Sequence, residues 1–277
     1  MRGIGTSFLG ACLGLVALSI PTPVQATSVF SSSGSSAAAI QAQVDAFRAD
    51  LGALNPNVAG SAGSGRREIN WDGVPDSLAA PNLLPANFFN VNSPRGAVFS
   101  TAGTGFQVSA NAGLTPIEFG NIDPSYPDLF APFSPQRLFT AIGSNVVDVS
   151  FFIPGSTTPA LTRGFGSVFS DVNAADLTSI EYFDVANHSL GSFYAPIFGG
   201  KETLSFLGVS FDNSVVSRVR ITSGNQLLTA GNIALDLVVM DDFIYGEPVA
   251  VPEPASLALF GISVAGLCAV ARRRRMG

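Results

Sequence analysis

Residues 145–153 read NVVDVSFFI. Val147, Val149, Phe151 and Ile153 alternate with smaller or polar residues, so one face of this stretch is apolar and the other is not. A side-chain period of two belongs to a half-buried strand. Residues 215–222, VVSRVRIT, repeat the pattern: Val215, Val219 and Ile221 oppose Arg218 and Arg220. Seven further apolar segments punctuated by Gly, Pro, Asn and Asp have the same texture: GAVFS (96–100), GFQVSA (105–110), RLFTAI (137–142), RGFGSVFSD (163–171), TSIEYFD (178–184), TLSFLGVSF (203–211) and LDLVVMDDFIYG (235–246). About nine or ten strands with no helical periodicity between them predict a mainly β chain, an antiparallel β-sandwich rather than an α/β fold.

One amphipathic helix precedes them. In AAAIQAQVDAFRADLGAL (37–54), Ile40, Val44, Phe47, Leu51 and Leu54 recur at spacings of four and three, on one helical face. The opposite face is poor in Lys and Arg, which favours packing on the main domain over insertion into a membrane interface. A Ser/Ala-rich linker is expected before this helix, and NPNVAGSAGSG (55–65) breaks it.

Both ends of the chain carry targeting features. Arg2 is followed by an apolar stretch, Phe8 to Ile20, then prolines and Val24-Gln25-Ala26, with small residues where a signal peptidase reads. At the other end Val251-Pro252-Glu253-Pro254 precedes an uncharged run, Ala255 to Ala271, then Arg272, Arg273, Arg274 and Arg275. As a helix that run spans about 26 Å, at the short end for a bilayer. The arginines act as a cytoplasmic stop signal and leave the body outside. These ordered elements resemble the PEP-CTERM sorting signal of Gram-negative bacteria over about the last 27 residues. The resemblance implies an exosortase, a membrane cysteine protease or transpeptidase acting near the triplet, and a host that makes extracellular polysaccharide. It also implies membrane anchoring through the C-terminal transmembrane helix, then cell-surface or extracellular delivery. The expected division is a signal peptide (1–26), linker and amphipathic helix (27–65), β-sandwich (66–248) and sorting signal (249–277).

Without its processed ends the body keeps nine of fourteen Lys and Arg and nineteen of twenty Asp and Glu, a net charge of −10. Such a surface repels nucleic acid and anionic lipid, leaving neutral sugars or cations as partners. Cys12 and Cys268 lie outside the body, so it has no thiol for a disulfide, a metal or a nucleophile. His188 is the sole histidine, in the turn-like VANHSLGS, which leaves zinc short of nitrogen or sulfur ligands. There is no G-x-S-x-G elbow and no complete dinucleotide-binding glycine loop. No catalytic residue is assigned, and the expectation is that the protein is not an enzyme.

Two groups of residues remain as candidates. DVNAAD places Asp171, Asn173 and Asp176 together as oxygen donors after a strand, a calcium site or else an ion-free Asx turn. Trp71 and Tyr126, in polar, turn-rich surroundings, are candidate glycan-stacking platforms, with packing as the alternative for Trp71. Asp241 and Asp242 are neighbours in a strand, so their side chains are expected on opposite faces and not as a pair.

The later strands carry a second resemblance. GFGSVFSDVN, LSFLGVSF and VVMDDFIYGEP are similar to jelly-roll domains of the carbohydrate-binding or galactose-binding-like kind, some of which hold structural calcium. GRREINWDGVPD (65–76) resembles exported bacterial proteins of unknown function. The expected function is a structural or glycan-interacting component of the surface or extracellular matrix. The alternatives are a dedicated carbohydrate-binding module and a carboxylate-based polysaccharide hydrolase.

Overall fold

The computed structural model describes residues 27–111, 113–114, 116–232 and 236–252. The signal-peptide stretch, Glu253, Pro254, the apolar run from Ala255 to Ala271 and the four terminal arginines lie outside these residues. Among the described residues no helix is long and apolar enough to cross a membrane.

Two antiparallel sheets carry the body. In chain order the elements are β1 (Thr27–Gly34), α1 (Ala37–Leu51), β2 (Arg66–Ile69), α2 (Phe88–Val91), β3 (Ala97–Ser100), β4 (Gly105–Val108), β5 (Phe139–Ile142) and β6 (Val146–Phe151). There follow β7 (Ala160–Leu161), β8 (Gly164–Ser170), β9 (Ser179–Phe183), β10 (Ser189–Tyr194), β11 (Leu204–Phe211), β12 (Arg218–Thr222), β13 (Val239–Gly246) and β14 (Val249–Ala250). The larger sheet runs β1-β11-β8-β13-β5-β4, with β2 also on β13; the smaller runs β10-β9-β12-β6-β3, and β14 pairs with β7.

The alternation in the opening sequence has its expected consequence. In β6 and β12, Val147, Val149, Phe151, Val219 and Ile221 are buried, while Arg218 and Arg220 lie on the other face beside Asp148. The aromatic core between the sheets centres on Trp71, stacked on Phe139 at 4.1 Å and meeting Phe243 edge-on at 5.0 Å.

β8, β11 and β13 are buried along their whole length because both faces are covered. The smaller sheet covers one face. α1 covers the other, with Ile40, Val44, Phe47 and Leu51 packed on Val168, Leu204, Phe206 and Ile244. Gly166 and Gly208 are paired across β8 and β11, directly under Phe47. A Cβ on either would come within 2.9 Å of the Phe47 ring, so these glycines let the helix approach the sheet.

Two details of the N-terminal region differ from the sequence reading. The Ser-rich stretch expected to be a linker is strand β1, paired with β11 from Thr27↔Phe211 to Gly34↔Leu204. Its exposed serines mask the strand signal, since it is an edge strand whose energy comes from backbone pairing. Leu54 does not share the apolar face: α1 ends at Leu51, Gly52 takes φ 101°, and Leu54 is 55% exposed.

Candidate functional site

β13 changes partner midway, and that change builds the most polar feature of the body. Its start pairs with β5 (Met240↔Phe139) and its end with β2 (Phe243↔Ile69 to Gly246↔Arg66). Between them, at Asp241 and Asp242, the register with β8 shifts by a bulge. A bulge re-aims side chains, and both carboxylates reach one hydroxyl: Ser134 Oγ lies 3.3 Å from Asp241 Oδ1 and 2.8 Å from Asp242 Oδ1. The expectation of opposite faces is therefore corrected, because strict alternation fails at the bulge.

The segment Phe133–Ser134 fills the gap between β5 and β2. Its backbone N–H groups donate to Asp241 Oδ2 at 2.6 and 3.1 Å. Asp241 is fully buried, and its carboxyl is pushed well above the usual range by burial and then by the Asp242 charge. Burial also pushes Asp242 up to about 6, opposed by the Ser134 hydroxyl and the Arg48 guanidinium. Burial and the mutual repulsion of the two carboxyls therefore push both toward the protonated form, Asp241 more than Asp242.

Arg48 extends this network to α1 and β2. Its Nη2 donates to Asp242 Oδ2 at 3.3 Å and to Glu68 Oε2 at 2.9 Å, while Nε reaches Glu68 Oε1 at 3.0 Å. Arg66 also donates to Glu68 Oε1, at 2.6 Å. Above the network opens a cleft of about 470 Å³, walled by α1, the 54–57 loop, β2 and the 133–135 loop. Asn57 and Asn70 are exposed on its walls, and their side-chain amides bond to no other described residue. Arg95 also lines it, with its Cζ 5.0 Å over the Phe89 ring and no ion pair to a described carboxylate.

This geometry offers hydrogen-bond donors and acceptors on a rigid scaffold. A glycosidase needs two carboxyls flanking the scissile bond, with space for substrate between them. Asp241 and Asp242 instead converge on one hydroxyl, and Glu68 is occupied by two arginines.

The residues singled out in the sequence lie elsewhere. Trp71 is 1% exposed and sits in the aromatic core, and Tyr126 is fully buried with its hydroxyl donating to Thr229 O at 2.7 Å. Neither presents a stacking face; their turn-rich neighbours describe the backbone there, not the side chain. Asp171 and Asn173 do meet, Nδ2 donating to Asp171 Oδ1 at 2.9 Å, and Asp176 is exposed. Asp236 Oδ1 instead accepts the N–H groups of Asn173 and Ala174, each at 3.0 Å. Burial pushes Asp171 up to about 6. Among the described residues no three or more His, Cys, Asp or Glu are grouped to hold a metal. His188 is in the β9–β10 turn, exposed, with Nδ1 3.2 Å from Asp184 Oδ2.

Val251 and Pro252 follow β14 at the edge of the body, and from there the sequence itself identifies the segment. Residues 250–275 match the PEP-CTERM protein-sorting motif. The motif implies processing by an exosortase. The sorting motif marks an exported protein, held by its C-terminal segment before processing. No curated protein and no solved structure matches the chain. The sandwich architecture is therefore established by the coordinates, without a jelly-roll relative to support it.

The cleft residues Arg48, Glu68, Asn70, Arg95 and Ser134 went unnoticed in sequence because they are far apart along the chain. One signal was present: two adjacent aspartates inside the apolar run LVVMDDFIYG, where a buried strand has no room for unpaired charge.

Proposed function

We propose that the exported body is a surface or extracellular-matrix component that holds polysaccharide in the cleft beside α1. The observation that carries this reading is the pair of unengaged amides, Asn57 and Asn70, on the walls of a cleft of about 470 Å³. An amide offers two donors and a carbonyl acceptor, which suits vicinal hydroxyls. Asn55, Gln41 and Ser134 add polar groups, and exposed Leu54 adds an apolar wall. Signal peptidase, for export, and the host's polysaccharide are the partners of this reading.

Co-sedimentation of the purified body with its host's polysaccharide is the test. Asn57→Ala with Asn70→Ala should cut the bound fraction by about tenfold, with the melting temperature held. Binding should change little between low and moderate salt, since a neutral polymer releases no counterions. Absence of co-sedimentation at every salt concentration, or full binding by the double variant, refutes the cleft assignment and leaves a structural role.

A further inference from the structure

The end of the sandwich where the described chain exits also holds Thr27. Thr27 pairs with Phe211, whose N–H donates to Arg163 O, and Leu161 nearby pairs with Val249 of β14. The exit is firmly held. Glu247, just before β14, is buried and accepts Arg67 Nε at 2.6 Å and Nη2 at 2.8 Å. Val249 and Ala250 are then fixed on β7.

At this end lies a groove of about 350 Å³, lined by Phe151, Phe152, Pro159, Val185, Arg218 and Val251 among others. Val251 is thus both groove wall and the residue before Pro252-Glu253-Pro254. Three extended residues reach about 10 Å, and the triplet starts from a residue that itself lines the groove.

The groove's chemistry matches the triplet. Proline-rich segments are stiff and dock on aromatic and apolar walls at little entropic cost, and Phe152, Pro159 and Val185 supply such walls. Arg218 lies with its Cζ 3.8 Å over the Phe183 ring and donates to Asp148 Oδ1 at 2.5 Å and Asn187 Oδ1 at 2.6 Å. Asp148 is shared with Arg220, so two cations divide one carboxylate. A guanidinium has five N–H donors, leaving Arg218 capacity for another carboxylate. The nearby Asp184 carboxylate is turned into its own hairpin, where Oδ1 accepts the N–H groups of Ala186 and His188, both at 2.8 Å. We propose that the two residues beyond exposed Pro252 dock in this groove, Glu253 on Arg218 and Pro254 on the apolar wall, so that the folded body holds its own sorting triplet.

Disulfide trapping tests this in the full chain, purified in detergent from cells without exosortase, with Cys12→Ser and Cys268→Ser removing both native thiols. Pro254→Cys is paired with Val185→Cys in the groove, or with Asn213→Cys, exposed near Phe211 but outside the groove. Docking predicts at least tenfold faster oxidation with position 185 than with 213, and a sharp loss of that preference on adding Glu253→Gln. Glu253→Gln removes the charge while keeping the size of the side chain, and an unchanged melting temperature of that variant separates lost docking from misfolding. Equal rates at the two positions, a preference indifferent to Glu253→Gln, or disulfides formed only between two chains would overturn the proposal.

Discussion

Replacing Asp242 by Asn should change how stability depends on pH, in a direction that geometry dictates. Asp242 is 2% exposed and titrates at about 6 in the folded protein against an ordinary carboxylate value of 3.8. Its raised folded-state value means that the unfolded chain loses this proton first as pH rises. The associated stability is fully present below about pH 4 and is lost as pH climbs to about 6. A shift of about two units corresponds to about 3 kcal/mol. Asn keeps the bond to Ser134 Oγ but cannot ionise, so it escapes that loss. The stability of Asp242→Asn relative to the parent should therefore rise by about 3 kcal/mol between pH 4 and pH 7. For a body of this size that is about 6 to 12 °C in relative melting temperature. Urea denaturation of both proteins at pH 4, 5, 6 and 7 reads it directly. Asp171, raised to about 6, and the half-buried Glu118, raised to about 7 by burial and then by Glu202, shift stability in the same direction but are common to both proteins. Parallel stability curves, with a constant difference from pH 4 to pH 7, would refute the raised titration of buried Asp242.

Phe47→Ala should cost about 3–5 kcal/mol by chemical denaturation, because it empties the site over Gly166 and Gly208 and leaves a cavity under α1. Trp71→Ala should also cost about 3–5 kcal/mol, with polysaccharide binding retained under conditions where the variant stays folded; loss of binding in a folded variant would return Trp71 to the ligand site. Chelation and calcium re-addition should leave the melting curve of metal-stripped protein unchanged, since Asn173 already donates to Asp171 as in an ion-free turn; a rise of several degrees with calcium, removed by Asp171→Ala, would establish an ion there.

How far the sequence could be read depended on what each strand touches. β6 and β12 face the core on one side and solvent on the other, so Val147, Val149, Val219 and Ile221 reveal strand, face and register at once. β8 and β11 are covered on both faces, so their alternation is lost; composition still marks them as strands, but nothing local says that Gly166 and Gly208 exist to receive Phe47 from a helix more than a hundred residues earlier. β1 and β10 are edge strands rich in Ser and Gly, with too few apolar side chains to signal themselves. The sorting tail was legible because proline, an apolar run and arginines act there as a linear signal. The cleft was not, because it depends on a change of partners: β13 leaves β5 and joins β2, and the bulge at the changeover turns Asp241 and Asp242 toward Ser134. The cost of burying two adjacent carboxyls is offset by two backbone N–H groups, one hydroxyl and Arg48. Arg48 comes from the helix that Phe47 anchors over the paired glycines. The position of the cleft is therefore set by the packing of α1 on the sheet, and a variant that loosens Phe47 should weaken the Arg48–Asp242 contact before it unfolds the sandwich.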